Sequence, residues 1–204
     1  MTYKYYENDL PDDLDLGNEI AIDTETLGLN NFRDRLCLIQ FSSGDGIAHL
    51  VHFKSNSLYN SPNIKKILTN NNILKIFHFA RFDLAILQKT FNIEINNIYC
   101  TKIASKIART YTDAHGLKVL IKEFFNIDIS KREQSSYWGG DMTDEQLKYA
   151  SNDVLFLHRI KDRLNTILEN ENRKELAEEC FKFLPTRVKL DLSGWLEMDI
   201  FSHQ

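Results

Sequence analysis

Glu19-Ile20-Ala21-Ile22-Asp23-Thr24-Glu25-Thr26, residues 19–26, is the stretch on which the reading of this chain turns. The Ile-Ala-Ile lead-in marks a buried strand, and residues i and i+2 of a strand share one face. Asp23 and Glu25 are therefore neighbours in space. Two like charges that close cost free energy unless a cation neutralises them or water solvates them. The apolar lead-in argues against water, so a divalent metal site is the expectation.

Outward from this strand, residues 35–43 and 46–53 read as two more strands. Ser43-Gly44-Asp45-Gly46 joins them as a strong hairpin turn. Helix 61–70, buried strand 73–79, helix 80–91, a short strand at 98–100 and helices 101–110 and 116–126 follow. A long helix over 143–168 opens on the capping-box pattern Thr143-x-x-Gln146. A last helix is expected over 171–183. A three-stranded antiparallel meander followed by alternating strands and helices predicts an α/β fold: a mixed sheet, meander plus parallel strands, flanked by helices.

Two further acids stand in suggestive places. Asp83, in His78-Phe79-Ala80-Arg81-Phe82-Asp83, falls in the first turn of a helix that follows a strand. The helix dipole favours an ionised carboxylate there, and open α/β sheets present sites at the strands' C-terminal edges. Alone, Asp83 is more simply a solvated first-turn aspartate. Asp153 lies four residues after Tyr149, one helix turn on the same face, beside an apolar stripe of Leu147, Ala150, Val154 and Leu157. Alone, that pair reads as the edge of a core helix.

The bulk properties bound the function. The chain's 204 residues suffice for one domain with a real core, taken here as residues 1–204. No apolar run approaches a membrane span, and the N-terminus lacks the basic-then-apolar order of a signal peptide. Three scattered cysteines, Cys37, Cys100 and Cys180, read as reduced thiols, so the expected location is cytoplasmic. A net charge of −4 argues against a coat for long nucleic acids, whose grip depends on many phosphate contacts.

Taken in order, Asp-x-Glu on a first strand, Asp after a later strand and Tyr-x-x-x-Asp on a late helix resemble the tyrosine-type DEDD 3′–5′ exonucleases, the ribonuclease-H-like group that includes ribonuclease D. Further stretches narrow the likeness: residues 24–29, 33–37, 75–87 and 100–106, together with Asp191-Leu192-Ser193-Gly194-Trp195-Leu196-Glu197-Met198-Asp199-Ile200-Phe201, are similar to nanoRNase C. That family comprises short, ring-forming exoribonucleases that remove very short RNAs, dinucleotides included.

The resemblance implies that Asp23, Glu25, Asp83 and Asp153 ligate two Mg²⁺ or Mn²⁺ ions, since hard oxygen donors suit these cations and no Cys/His cluster competes. Tyr149 would orient or deprotonate the attacking water. A tyrosine hydroxyl ordinarily titrates near pH ~10, so adjacent divalent cations would have to favour its phenolate. Leu27 resembles the wedge that parts the two bases of a short substrate.

Other contacts are read from spacing alone. Lys102, Lys106 and Arg109 recur at i, i+4 and i+7 and give a cationic stripe, matched evenly by a merely solvated face. His115, Gln134, Ser135 and Ser136 sit in polar loops suited to a terminal phosphate. His78, inside an apolar run, reads more readily as a satisfied core histidine. Thr26 and His78 complete the candidate substrate contacts.

After Asp153 there is room only to finish one helix and add another with a tail. Substrate contacts are therefore expected to be few and local to the RNA's 3′ end, with DNA as a second substrate. The apolar stretch at about 184–204 is expected either to pack on its own domain or, as the family's octameric rings imply, to meet a neighbouring subunit. The rival readings are ribonuclease D-like trimming of longer RNAs, a DNA exonuclease, and an inactive nucleic-acid-binding scaffold.

Overall fold

The structure is a computed structural model that describes residues 2–129 and 136–203. One six-stranded mixed sheet organises it: β1 (Thr2–Glu7), β2 (Glu19–Thr26), β3 (Leu36–Ser42), β4 (Ile47–His52), β5 (Leu74–Phe77) and β6 (Ile98–Cys100). The spatial order is β1-β4-β3-β2-β5-β6. β2, β3 and β4 form the antiparallel meander, while β5 pairs parallel with β2 and β6 parallel with β5. Gly44 and Gly46 take the left-handed conformation, φ 82° and 86°, that the hairpin turn requires.

Among the described residues, seven α-helices flank the sheet: α1 (Pro62–Thr69), α2 (Ala80–Phe91), α3 (Thr101–Ala108), α4 (Leu117–Phe125), α5 (Asp144–Leu155), α6 (Leu157–Asn170) and α7 (Lys174–Leu190). Every residue of β3 is buried, as a strand covered on both faces demands. The capping box forms as its pattern predicts, with Gln146 N–H donating to Thr143 Oγ1 at 3.2 Å and Thr143 N–H to Gln146 Oε1 at 2.9 Å. No helix among the described residues is long and apolar enough to cross a membrane.

Three features depart from the sequence reading. The helix expected over 143–168 is two helices that break at Phe156, which is buried and stacked on Phe125 with ring centroids 6.2 Å apart. α5 lies on β2, β3 and β4, whereas α6 packs on α3 and α4, so each segment turns its apolar face to a different partner. No Gly or Pro marks that break. Next, β1 adds an edge strand parallel to β4 from residues that carry little pattern. Finally, the helix expected over 171–183 runs on to Leu190 through Pro185. The lost hydrogen bond there is set against burial of Leu184 and Val188.

Candidate active site

The end of β2, the start of α2 and the second half of α5 meet at one place. Carboxylate oxygens of Asp23, Glu25 and Asp153 all lie within 4.8 Å of one another. Asp23 and Glu25 reach the cluster from alternate positions of β2, and Asp153 arrives from α5, packed across that strand. Asp83 is outside that triple but adjoins it. It is buried in the first turn of α2, where Thr24 Oγ1 donates to its Oδ1 at 2.6 Å. Phe79, the residue before α2, sits in the left-handed region (φ 68°, ψ 44°), an unusual conformation for an aromatic residue and of the kind that gathers at functional sites.

Burial dominates the electrostatics. It holds the carboxyls of Asp23 and Glu25 well above the usual carboxylate range, and the neighbouring acids push them further. Burial pushes Asp83 up to about 7 against the hydrogen bond from Thr24. Asp153 is likewise pushed up to about 7 by burial, opposed by the nearby ammonium of Lys118. An all-oxygen, mutually repelling donor set, with Asp83 and Asp153 buried and Asp23 and Glu25 half-buried, suits a hard divalent cation.

Tyr149 is half-buried one turn before Asp153 on α5. Its ring packs against Trp138, centroids 6.2 Å apart, and the Lys118 ammonium stands 4.6 Å from the ring centroid. Sequence reading passed over Lys118. A lysine at the second position of a helix ordinarily signals only a solvated surface.

The remaining candidates divide. Leu27 is 41% exposed immediately beyond β2, with Gly139 pressed so close that a Cβ there would lie 2.5 Å from Leu27 Cδ2. Thr26 is buried, and its hydroxyl donates to the Gly28 carbonyl at 2.5 Å. His78 Nδ1 lies 2.9 Å from Thr101 Oγ1, and burial lowers its pKa to about 3, which keeps the ring neutral. Lys102 sits over the Phe79 ring at 4.4 Å. With Lys106, Ile103, Ile107 and Phe183 it lines a cleft of about 600 Å³ that none of the four acids enters.

Arg109 does not continue the expected stripe. α3 ends at Ala108, so Arg109 turns inward, fully buried, and donates to Ser105 Oγ and the Ala114 carbonyl, each at 2.9 Å, while pairing with Glu123. His115 is buried on the same network through Ser105 Oγ at 2.9 Å. These two side chains fasten the 109–116 turn to α3 and α4, a structural engagement in place of the exposed phosphate contact expected of them. Ser136 Oγ accepts from Gln146 Nε2 at 2.6 Å, so it belongs to the α5 cap. Gln134 and Ser135 lie outside the described residues.

A family profile described as 3′–5′ exonuclease matches residues 6–169. Brucella melitensis NrnC, solved bound to pGG, is 50% identical over 100% of both chains, with a TM-score of 0.96. The same protein solved with bound Mg²⁺ is 50% identical over 100% of both chains, TM-score 0.95. Human exosome complex component 10 is 30% identical over 149 residues, 72% of this chain and 16% of that protein. Escherichia coli RNase D, an exoribonuclease involved in structured RNA processing, shares the fold with a TM-score of 0.73 at 22% identity, over 88% of this chain and 48% of that one. The chain thus spans between 16% and 50% of the curated relatives it matches first, and the whole of NrnC.

Proposed function

The chain belongs to the 3′–5′ exonuclease family, and from that premise we propose that it hydrolyses very short RNAs, dinucleotides included, from their 3′ ends to nucleoside monophosphates. The observation that carries the proposal is the convergence of Asp23, Glu25 and Asp153 within 4.8 Å, in a chain that matches end to end a protein solved with pGG and with Mg²⁺.

Asp23, Glu25, Asp83 and Asp153 would hold two divalent cations, Mg²⁺ or Mn²⁺. Bound there, the pair supplies Lewis acidity to water and to the departing ribose oxygen. The protein's own part is chiefly positioning. β2 and α5 fix three carboxylates relative to one another, and Thr24 holds Asp83 in place. Tyr149, whose ring packs against Trp138 and the Lys118 ammonium, would orient the attacking water and, as the phenolate, receive its proton. Leu27, exposed two residues past Glu25, would part the two bases, so a two-nucleotide chain fills the site. The net charge of −4 supports recognition through few, local contacts and hence a weak salt dependence.

The chain also presents Trp195, Leu196, Met198, Ile200 and Phe201 to solvent, each more than 40% exposed. Arg81 anchors the base of this stretch through Asp191 at 2.6 and 2.8 Å. A segment pinned at its base with apolar side chains outward supports a homo-oligomer in which the tail covers a neighbouring subunit, an octameric ring being the arrangement expected.

A ladder of 5′-labelled RNA and DNA from two to about twenty nucleotides, incubated with Mg²⁺ or Mn²⁺, tests the substrate class. Turnover should fall steeply with length, because a two-nucleotide chain already fills the site and further nucleotides must be accommodated without compensating contacts. Comparable rates on the shortest and longest RNAs would instead support trimming of longer RNAs. Faster cleavage of DNA would support a DNA exonuclease.

A further inference from the structure

Lys118 breaks a local rule. It occupies the second position of α4, where the helix N-terminus repels a cation, and its ammonium nitrogen is buried. Residues that violate local preference at a cost are expected where function holds them. The ammonium is 4.6 Å from the Tyr149 ring centroid, within cation–π range. Its charge also favours the ionised forms of Glu25 and Asp153. Tyr149 is thus held by Trp138 and by Lys118.

We infer that Lys118 is a positioning residue for phosphodiester cleavage: its buried ammonium, seated 4.6 Å from the centroid of the Tyr149 ring, fixes the direction of the phenol. This rests on the exonuclease reading of the site. The Lys118 side chain reaches from α4 to Tyr149 on α5.

The test compares Lys118→Met, which keeps the stem and removes the charge, with Lys118→Arg, each in the native and the Tyr149→Phe backgrounds. Thermal melts first establish that each variant is folded. On a two-nucleotide RNA, Lys118→Met should lower kcat about tenfold or more while KM moves less than about threefold, and Lys118→Arg should recover most of the loss. In the Tyr149→Phe background the same substitution should cost less than about threefold, because its effect passes through the missing hydroxyl.

Independently of activity, calorimetric titration should show Mg²⁺ binding Lys118→Met at least as tightly as the native protein, since a competing cation is gone. An unchanged kcat, an equal loss in both backgrounds, or weakened Mg²⁺ binding would each overturn the inference. Failure of the exonuclease reading is distinguishable, because the native protein itself would then leave the dinucleotide intact.

Discussion

Asp83 and Asp153, each pushed up to about 7, and Asp23 and Glu25, held well above their usual values, tie this site's stability to pH. A carboxyl whose folded pKa exceeds its unfolded value binds more protons in the folded state across the gap between the two. The stability it contributes is complete below its ordinary value, 3.8 for aspartate, and is lost as pH rises through about 7. Metal-free protein in chelator should therefore melt at a lower temperature at pH 8 than at pH 5. Added Mg²⁺ should raise the midpoint strongly at pH 8 and little at pH 5, where protons occupy the same oxygens. A chelated protein that is more stable at pH 8 than at pH 5 would contradict this electrostatic picture. Much of the residue-scale site was legible in the sequence, because acids separated by fixed elements are hard to place by accident. Arg109 is fully buried where helical spacing predicts a surface stripe, and Lys118 carries no mark in the sequence. Helical spacing put Arg109 on a surface that α3 does not reach, and nothing local distinguishes Lys118 from a solvated lysine.

Among the elements, the meander, the β5–α2 turn and the capped start of α5 followed from alternation, glycine punctuation and the Thr-x-x-Gln pattern. The break between α5 and α6 did not, since it answers to which partner each helix buries against and carries no sequence mark. The segment just ahead of α5 bears directly on the site. Arg35 Nη2 donates to the Gly139 carbonyl at 3.0 Å and Nη1 to the Phe53 carbonyl at 2.7 Å, which draws the segment onto the β3–β4 side of the site. There Gly139 abuts Leu27 and Tyr137. A Cβ at Gly139 would stand 2.5 Å from Leu27 Cδ2 and 2.6 Å from the Tyr137 hydroxyl. Gly139→Ala should displace Leu27, raising KM for a two-nucleotide RNA by about threefold to tenfold with a smaller change in kcat. Steady-state kinetics on native and substituted protein decide this. A substitution that left KM unchanged would separate Leu27 from substrate binding.

At the scale of the molecule, an acidic chain carries an apolar C-terminal stretch whose base is tied down. Asp191, buried, accepts from Arg81 and also from Arg187, whose Nε donates to it at 2.9 Å. Deleting that aspartate would strand two arginines, so the outward residues are the better probe of assembly. Met198→Asp with Phe201→Asp should lower the mass measured by light scattering while the melting midpoint of the fold changes little. An unchanged mass would assign the tail to its own chain. The most direct measurement for the whole account is the fate of a two-nucleotide RNA bearing a 5′ phosphate, followed chromatographically with native protein and with Asp153→Asn. The acid cluster as a divalent-cation site predicts two nucleoside monophosphates per dinucleotide for the native protein with Mg²⁺, and none in chelator or with Asp153→Asn. Native-rate hydrolysis in chelator, or by Asp153→Asn, would contradict it.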